Sequence, residues 1–308
     1  MRLVFLGTPA FAVPTLESLV AAGYDVLSVV TQPDRPSGRG QRLAASPVKE
    51  AALRLGLPVY QPERIRRPEA VAALAGLRPD AMVVVGYGQI LPQTVIDIPP
   101  RGIINVHASL LPEYRGAAPV QWAIANGSAR TGVTTMRIDA GLDTGDMLLK
   151  AETEIGPDET ALELGARLAA MGAALLIETL ERIETIAPHQ QDAAQATYAP
   201  LLKKENGLID WRQPAQAIHN RVRGFQPWPG AYTRFRGQQL HIWKSRVAAP
   251  QTDGQGGPGL LTSRPLAVAC GQGSLEPIEV QLQGRKRITA EEFANGQHLT
   301  GHDILGES

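Results

Sequence analysis

The chain has 308 residues, 44% of them hydrophobic, and its 30 basic and 30 acidic side chains cancel, so it has length for two cores and no overall bias toward a charged partner. No apolar run reaches a membrane span, and Met1-Arg2-Leu3-Val4-Phe5-Leu6-Gly7 is broken too soon for a signal peptide, so a cytoplasmic protein without membrane contact is the default. A single cysteine, Cys270, excludes an internal disulfide or a cysteine-rich metal cluster, and six scattered histidines give no zinc spacing.

In chain order, Arg2 to Leu6 is a short apolar run, Gly7-Thr8-Pro9 turns it, and Phe11 to Ala22 has helical spacing that Gly23 stops. Tyr24 to Val30 is a second strand. Strand, turn, helix, strand opens a doubly wound, Rossmann-like α/β domain. The first turn lacks the Gly-x-Gly-x-x-Gly of dinucleotide binding, which removes the main support for a dehydrogenase. Thr31 to Arg42 is dense in Pro, Gly and Arg with no apolar period, and is expected to be a long mobile loop whose Arg35, Arg39 and Arg42 suit phosphate contacts.

Ser46 and Pro47 open a helix to about Leu55, Leu57 to Tyr60 is a third strand, and Pro68 to Leu77 is helical. Ala81 to Val85 is continuously apolar, as a buried parallel strand requires. Gly86-Tyr87-Gly88 follows, at the carboxyl end where open α/β sheets bind ligands.

Ile103, Ile104 and Val106 end a further buried strand, and Pro112 with Gly116 forces the chain into a loop. Asn105 and His107 are two apart, so both project from one face of an extended chain. An amide that can hold a developing oxyanion and an imidazole that can move a proton near neutral pH suit attack of an amine on a carbonyl. The carboxylate to go with them is sought in Asp139-Ala140-Gly141-Leu142-Asp143-Thr144-Gly145-Asp146, an acidic turn after the alternating run Gly132 to Ile138. Ala117 to Ala125 reads as a helix between these motifs, Met147 to Ile155 as a strand, and Pro157 starts a helix reaching about Ile186.

Ala187 to Lys204 has no sustained period and reads as linker. From Gly207 the signal is one helix, Pro214 to Arg223, then short alternating strands separated by Gly254 to Gly259 and Gly271 to Gly273, which suggests a small OB-like β-barrel. The expected organisation is a catalytic domain over 1–188, a linker over 189–206 and a barrel domain over 207–308. Residues 1–202 carry 17 basic against 21 acidic side chains, net −4, and residues 203–308 carry 13 against 9, net +4. That asymmetry can turn a basic surface toward an anionic partner, with Arg285-Lys286-Arg287 as a compact cluster for phosphate. The rigid run Phe225-Gln226-Pro227-Trp228-Pro229-Gly230 is expected to pack between the domains.

The pairing of Asn-x-His-x-Ser-Leu-Leu-Pro at 105–112 with Gly-Leu-Asp-Thr-Gly-Asp at 141–146 resembles the formyltransferases that use 10-formyltetrahydrofolate. The resemblance implies Asn105, His107 and Asp143 as catalytic residues, and Ser109, Leu110, Leu111 and Pro112 with Gly86, Tyr87 and Gly88 against the folate. Tetrahydrofolate would bring the formyl group as co-substrate, and no metal is required. The arginine-rich loop resembles one that tRNA-formylating members of the family turn toward the tRNA acceptor end. With the barrel, it implies the amino group of initiator methionyl-tRNA as acceptor, for translation initiation, and a monomer. Two rivals are a family member acting on an amino sugar nucleotide and a non-catalytic RNA-binding protein.

Overall fold

The computed structural model describes residues 1–37, 42–248, 257–263, 266–300 and 303–306. The chain divides into two compact units, one built from residues 1–119, 131–153 and 165–200, the other from 120–130, 154–164 and 201–308. Among the described residues no helix is long and apolar enough to cross a membrane.

In the first unit β1 (Arg2–Gly7), α1 (Val13–Ala21) and β2 (Asp25–Val30) form the opening turn of a doubly wound sheet. Two short strands follow, β3 (Arg35–Ser37) and β4 (Arg42–Ala44), then α2 (Pro47–Arg54), β5 (Val59–Tyr60), α3 (Pro68–Leu77) and β6 (Ala81–Val85). The helix α4 (Gln93–Ile96), β7 (Ile103–His107), α5 (Pro119–Ala125), β8 (Arg130–Arg137), β9 (Met147–Glu154) and α6 (Ala161–Glu181) complete this part of the chain. The seven-stranded sheet runs β5-β2-β1-β6-β7-β8-β9. Strands β5, β2, β1, β6 and β7 pair in parallel, and β8 is antiparallel to β7.

Strand order reverses between β1 and β6, so the crevice at their carboxyl ends is the switch point where such sheets take ligands. Burial follows from the parallel strands being covered on both faces. All five residues of β6 and all five of β7 are buried, and Ile104 and Val106 enter one core with Leu3, Phe5 and Leu176, while Ile103 enters the other with Val4, Leu6 and Met82.

Two stretches differ from their sequence reading. The 31–42 segment is not all loop, because β3 and β4 pair antiparallel from Arg35↔Ala44 to Ser37↔Arg42. At the base of this ribbon Asp34 accepts from Lys49 Nζ at 2.6 Å and from Gln61 Nε2 at 2.8 Å, which fixes where it leaves the domain. The expected linker is likewise structured. His189 exchanges both backbone bonds with Met147 at 2.8 Å, and residues 197 to 199 are laced to Tyr114 and Arg115. Bonds of this kind leave no hydrophobic period, which is why the stretch read as featureless.

The second unit holds α7 (Ala215–Gly224), β10 (Ala231–Phe235), β11 (Gln238–Val247), β12 (Leu261–Ser263), β13 (Leu266–Ala269), β14 (Ser274–Leu282), β15 (Ile288–Thr289) and α8 (Ala290–Gln297). Its antiparallel sheet, ordered β10-β11-β14-β13-β12 with β15 beside β14, is barrel-like and encloses one core. Trp211, Ile218, Phe235, Ile242, Val268, Leu275 and Phe293 fill it. Phe225 is fully buried in this same unit and meets Trp122 edge-on with ring centroids 5.3 Å apart. Of the glycine run at 254–259, only 257–259 falls among the described residues.

Candidate active site

The last residue of β7 carries the imidazole. Asn105 and His107 share the face that the two-residue repeat of the strand dictates, opposite Ile104 and Val106. Both are buried, at 7% and 6% exposure, and no hydrogen bond engages the Asn105 amide among the described residues, although its polar atoms are not fully enclosed. An amide left open in this way has donor capacity for a ligand.

His107 has a defined orientation. Its Nε2 lies 3.0 Å from the carbonyl oxygen of Tyr114, which can only accept, so Nε2 carries the proton of the neutral ring. Nδ1 is then the free base, and it faces Asp143 Oδ2 at 3.7 Å. That separation is too long for a hydrogen bond. A proton arriving at Nδ1 converts the contact into a charge-assisted one. Oδ2 of Asp143 also accepts from the backbone N–H of Gly116 at 2.9 Å. The side chains of His107 and Asp143 are 7% and 18% exposed, so the pair works largely out of water.

Two residues here sit in the left-handed backbone region, Tyr114 at φ 57° and Asp143 at φ 52°. This conformation is uncommon for a tyrosine and better tolerated by an aspartate. The acidic turn is shaped at its tip by Asp139, whose Oδ1 accepts from Gly141 N at 3.0 Å and Thr144 Oγ1 at 2.7 Å. Its other end is fixed by Gln191, whose Nε2 donates to the carbonyls of Asp143 and Gly145, each at 2.8 Å.

The residues expected against folate divide. Ser109 and Leu111 are fully buried, and the Ser109 hydroxyl donates inward to Glu113 O at 2.6 Å. Thr134 ties this turn to β8, donating to Ser109 O at 2.7 Å and accepting from Leu111 N at 3.2 Å. Leu110 and Pro112 are half-buried at the rim. Gly86 and Gly88 are exposed at the switch point, whereas the Tyr87 ring is buried in the core and its carbonyl accepts from Thr8 Oγ1 at 2.9 Å. Burial raises the Tyr87 phenol far above its ordinary value, so it stays protonated.

Of the expected tRNA contacts, Arg35 is exposed on β3, Arg42 begins β4, and Arg39 lies outside the described residues. Arg285, Lys286 and Arg287 are exposed beyond β14. Arg287 is partly engaged, 3.6 Å from Glu279 Oε2 and with its guanidinium 4.2 Å from the Trp243 ring centroid. Among the described residues no group of three His, Cys, Asp or Glu is arranged to hold a metal ion. Sequence reasoning missed Thr134, Gln191 and the buried Arg115, whose roles rest on partners 23 to 76 residues away that no local pattern announces.

Comparison with known proteins bears on this geometry. Residues 1–180 match the family described as Formyl transferase, and residues 201–298 match Formyl transferase, C-terminal domain. The chain is 69% identical over 310 residues to the methionyl-tRNA formyltransferase of Solibacter usitatus, covering 100% of this chain and 99% of the relative. It is 57% identical over 312 residues to the protein of that name from Koribacter versatilis, covering 99% of both. Among solved structures, HypX from Aquifex aeolicus in complex with tetrahydrofolic acid shares the fold with a TM-score of 0.65 at 17% identity, over 98% of this chain and 48% of that one. WlaRD, a sugar 3N-formyl transferase seen with dTDP and 5-N-formyl-THF, gives 0.67 at 17% identity over 93% and 99%.

Proposed function

The chain belongs to the formyl transferase family, and from that premise we propose that Asn105, His107 and Asp143 carry its reaction, with 10-formyltetrahydrofolate as formyl donor. The enzyme transfers a formyl group to the amino group of methionyl initiator tRNA, the activity in the names of relatives at 57–69% identity over the full length. A donor derived from tetrahydrofolate fits the residues present, because the unpartnered amide of Asn105 and the free Nδ1 of His107 are the donor and base that a carbonyl under attack by an amine needs. When bound, the folate supplies a formyl carbon attached to nitrogen.

Asn105 offers its N–H to the formyl oxygen as negative charge builds there. With the donor bound, the methionyl amine would bond to the formyl carbon as that carbon's bond to the folate nitrogen breaks; His107 would take the amine's proton at Nδ1, and a proton would return to the departing folate nitrogen. The Asp143 carboxylate faces His107 Nδ1 across 3.7 Å, so it would stand opposite the positive charge that forms there. Gly116 N–H keeps the carboxylate oriented. The observation that carries this reading is the approach of Asp143 Oδ2 to His107 Nδ1, across 36 residues of sequence, with Asn105 on the same face of the strand as His107.

Within the same reading, residues 1–188 perform the transfer and residues 207–308 bind tRNA, aided by Arg35, Arg39, Arg42 and the 285–287 cluster, in a cytoplasmic monomer. The experiment is direct. The protein is incubated with labelled 10-formyltetrahydrofolate and either methionyl initiator tRNA or a dTDP-linked amino sugar. Label on the methionyl amine is expected, and label on the sugar alone would refute the assignment.

A further inference from the structure

Gln191 belongs to neither motif and lies in a stretch with no hydrophobic period, yet it is buried, with 7% exposure. Its amide is saturated. Oε1 accepts from Arg115 Nε at 3.0 Å and from Nη2 at 2.8 Å, and Nε2 donates one proton to Asp143 O and one to Gly145 O. A glutamine can make four such bonds at most, so this side chain is held in one orientation.

We propose that Gln191 is a positioning residue for formyl transfer, clamping the backbone of the acidic turn to the loop that holds His107 and so setting the Asp143 carboxylate against the imidazole. The inference rests on the reading of His107 and Asp143 as the reacting groups. Three observations carry it. Asp143 sits at φ 52°, in the left-handed region, and Gln191 bonds its carbonyl from outside the turn. The bonds from Asp139, to Gly141 N and Thr144 Oγ1, stay inside the turn and do not tie it to the loop that holds His107. Gln191 does, because it bonds the Asp143 and Gly145 carbonyls and the Arg115 guanidinium at once, while the Gly116 N–H holds the Asp143 carboxylate.

The other end of the clamp is equally specific. Arg115 is 5% exposed and is the neighbour of Tyr114, whose carbonyl receives the His107 proton. Its backbone N–H donates to Thr197 O at 2.8 Å, and its carbonyl accepts from Ala199 N at 2.8 Å. The 189–199 segment thus runs from the strand leaving the acidic turn, where His189 pairs with Met147, to the loop beside His107. Gln191 is a point along it where one side chain bonds both the acidic turn and Arg115, three residues beyond the first motif.

The test uses the full-length enzyme and Gln191→Glu. A glutamate at this position still accepts from Arg115, which compensates the buried guanidinium and preserves folding, but has no N–H for the two carbonyls. Expected is a fall in kcat on the order of 10²-fold, as misplacement by about 1 Å produces, with KM for donor and tRNA changed by less than about threefold. Melting within a few degrees of wild type, assayed well below the transition, separates this from unfolding. Asp143→Asn and the double variant complete a cycle. If Gln191 acts through Asp143, the double variant is no slower than Asp143→Asn alone. Independent, multiplying losses would overturn the proposal, as would unchanged kcat in Gln191→Glu beside an inactive Asp143→Asn. Should Asp143→Asn itself turn over normally, the assignment of the reacting groups fails, and the positioning role with it.

Discussion

Asp143 approaches His107 on the ring nitrogen that the Tyr114 carbonyl leaves without a proton, at 3.7 Å, so the carboxylate is placed to receive a proton's charge rather than to orient a neutral ring. Asp143→Asn keeps an oxygen for Gly116 N–H but loses the charge. We expect this variant to fold normally, to bind the folate donor as the wild type does, and to lose roughly 10² to 10⁴ in the rate of formyl transfer. Single-turnover formylation of methionyl-tRNA beside a donor titration measures both. Near-normal transfer would remove Asp143 from the reaction.

Backbone crowding gives a second test at the same turn. Gly145 is buried, and a Cβ there would collide with the carbonyl oxygen of Arg137, an atom of β8 that has no freedom to withdraw. Gly145→Ala should therefore cost about 1–3 kcal/mol of stability, as overpacking does, and displace the carbonyl that Gln191 holds, lowering kcat as well. Gly165→Ala is the control. That position is helical with nothing within 4 Å of the added carbon, so the substitution should stabilise by about 0.4–1 kcal/mol. Denaturant melts of both variants check the opposite signs.

Much of this architecture is readable from the residues because its parallel strands are buried on both faces. Ala81 to Val85 and Ile103 to His107 are fully buried as their apolar runs require, and the two-residue period of β7 accounts for Asn105 and His107 sharing a face. Local capping is equally direct, since the Ser46 hydroxyl accepts from Lys49 N at 3.1 Å with Pro47 at the first position of α2. One missed element carried such a signal. Thr289 and Glu292 form a reciprocal capping box at the start of α8, a Thr-x-x-Glu pattern visible in sequence. The Asp143 clamp carried none, because Gln191 acts by burying one amide against carbonyls 46 and 48 residues away. The inward turn of the Ser109 hydroxyl is likewise a product of tertiary bonding.

The basic ribbon leads to a prediction about salt. Arg35 is exposed on β3, and Arg42 begins the paired strand, with Asp34 anchoring the base through Lys49 and Gln61. If the ribbon meets the tRNA backbone, Arg39→Ala and Arg42→Ala should each weaken tRNA use and lower the slope of log affinity against log salt by roughly 0.7 to 0.9. Donor binding should be untouched. A change confined to the folate constant would assign the ribbon another task.

The last prediction concerns pH and the second unit. His219 is buried on α7, with Nδ1 3.1 Å from Ser245 Oγ and Nε2 3.4 Å from Pro157 O. The carbonyl can only accept, so the neutral ring carries its proton on Nε2 and accepts from the serine at Nδ1. Desolvation lowers the His219 pKa from its ordinary 6.5, outweighing the Pro157 bond and the Asp158 carboxylate 3.4 Å away, and the nearby Arg223 charge acts in the same direction as burial. The folded state then binds fewer protons at this site than the unfolded chain between the lowered value and 6.5. Stability from keeping His219 neutral is present in full above pH 6.5 and is lost as pH falls through that window. The His219→Asn variant cannot titrate there, so the decline in its melting temperature from pH 7.5 to pH 5 should be shallower than that of the wild type. Equal slopes for the two proteins would show that the acid sensitivity of this unit arises elsewhere.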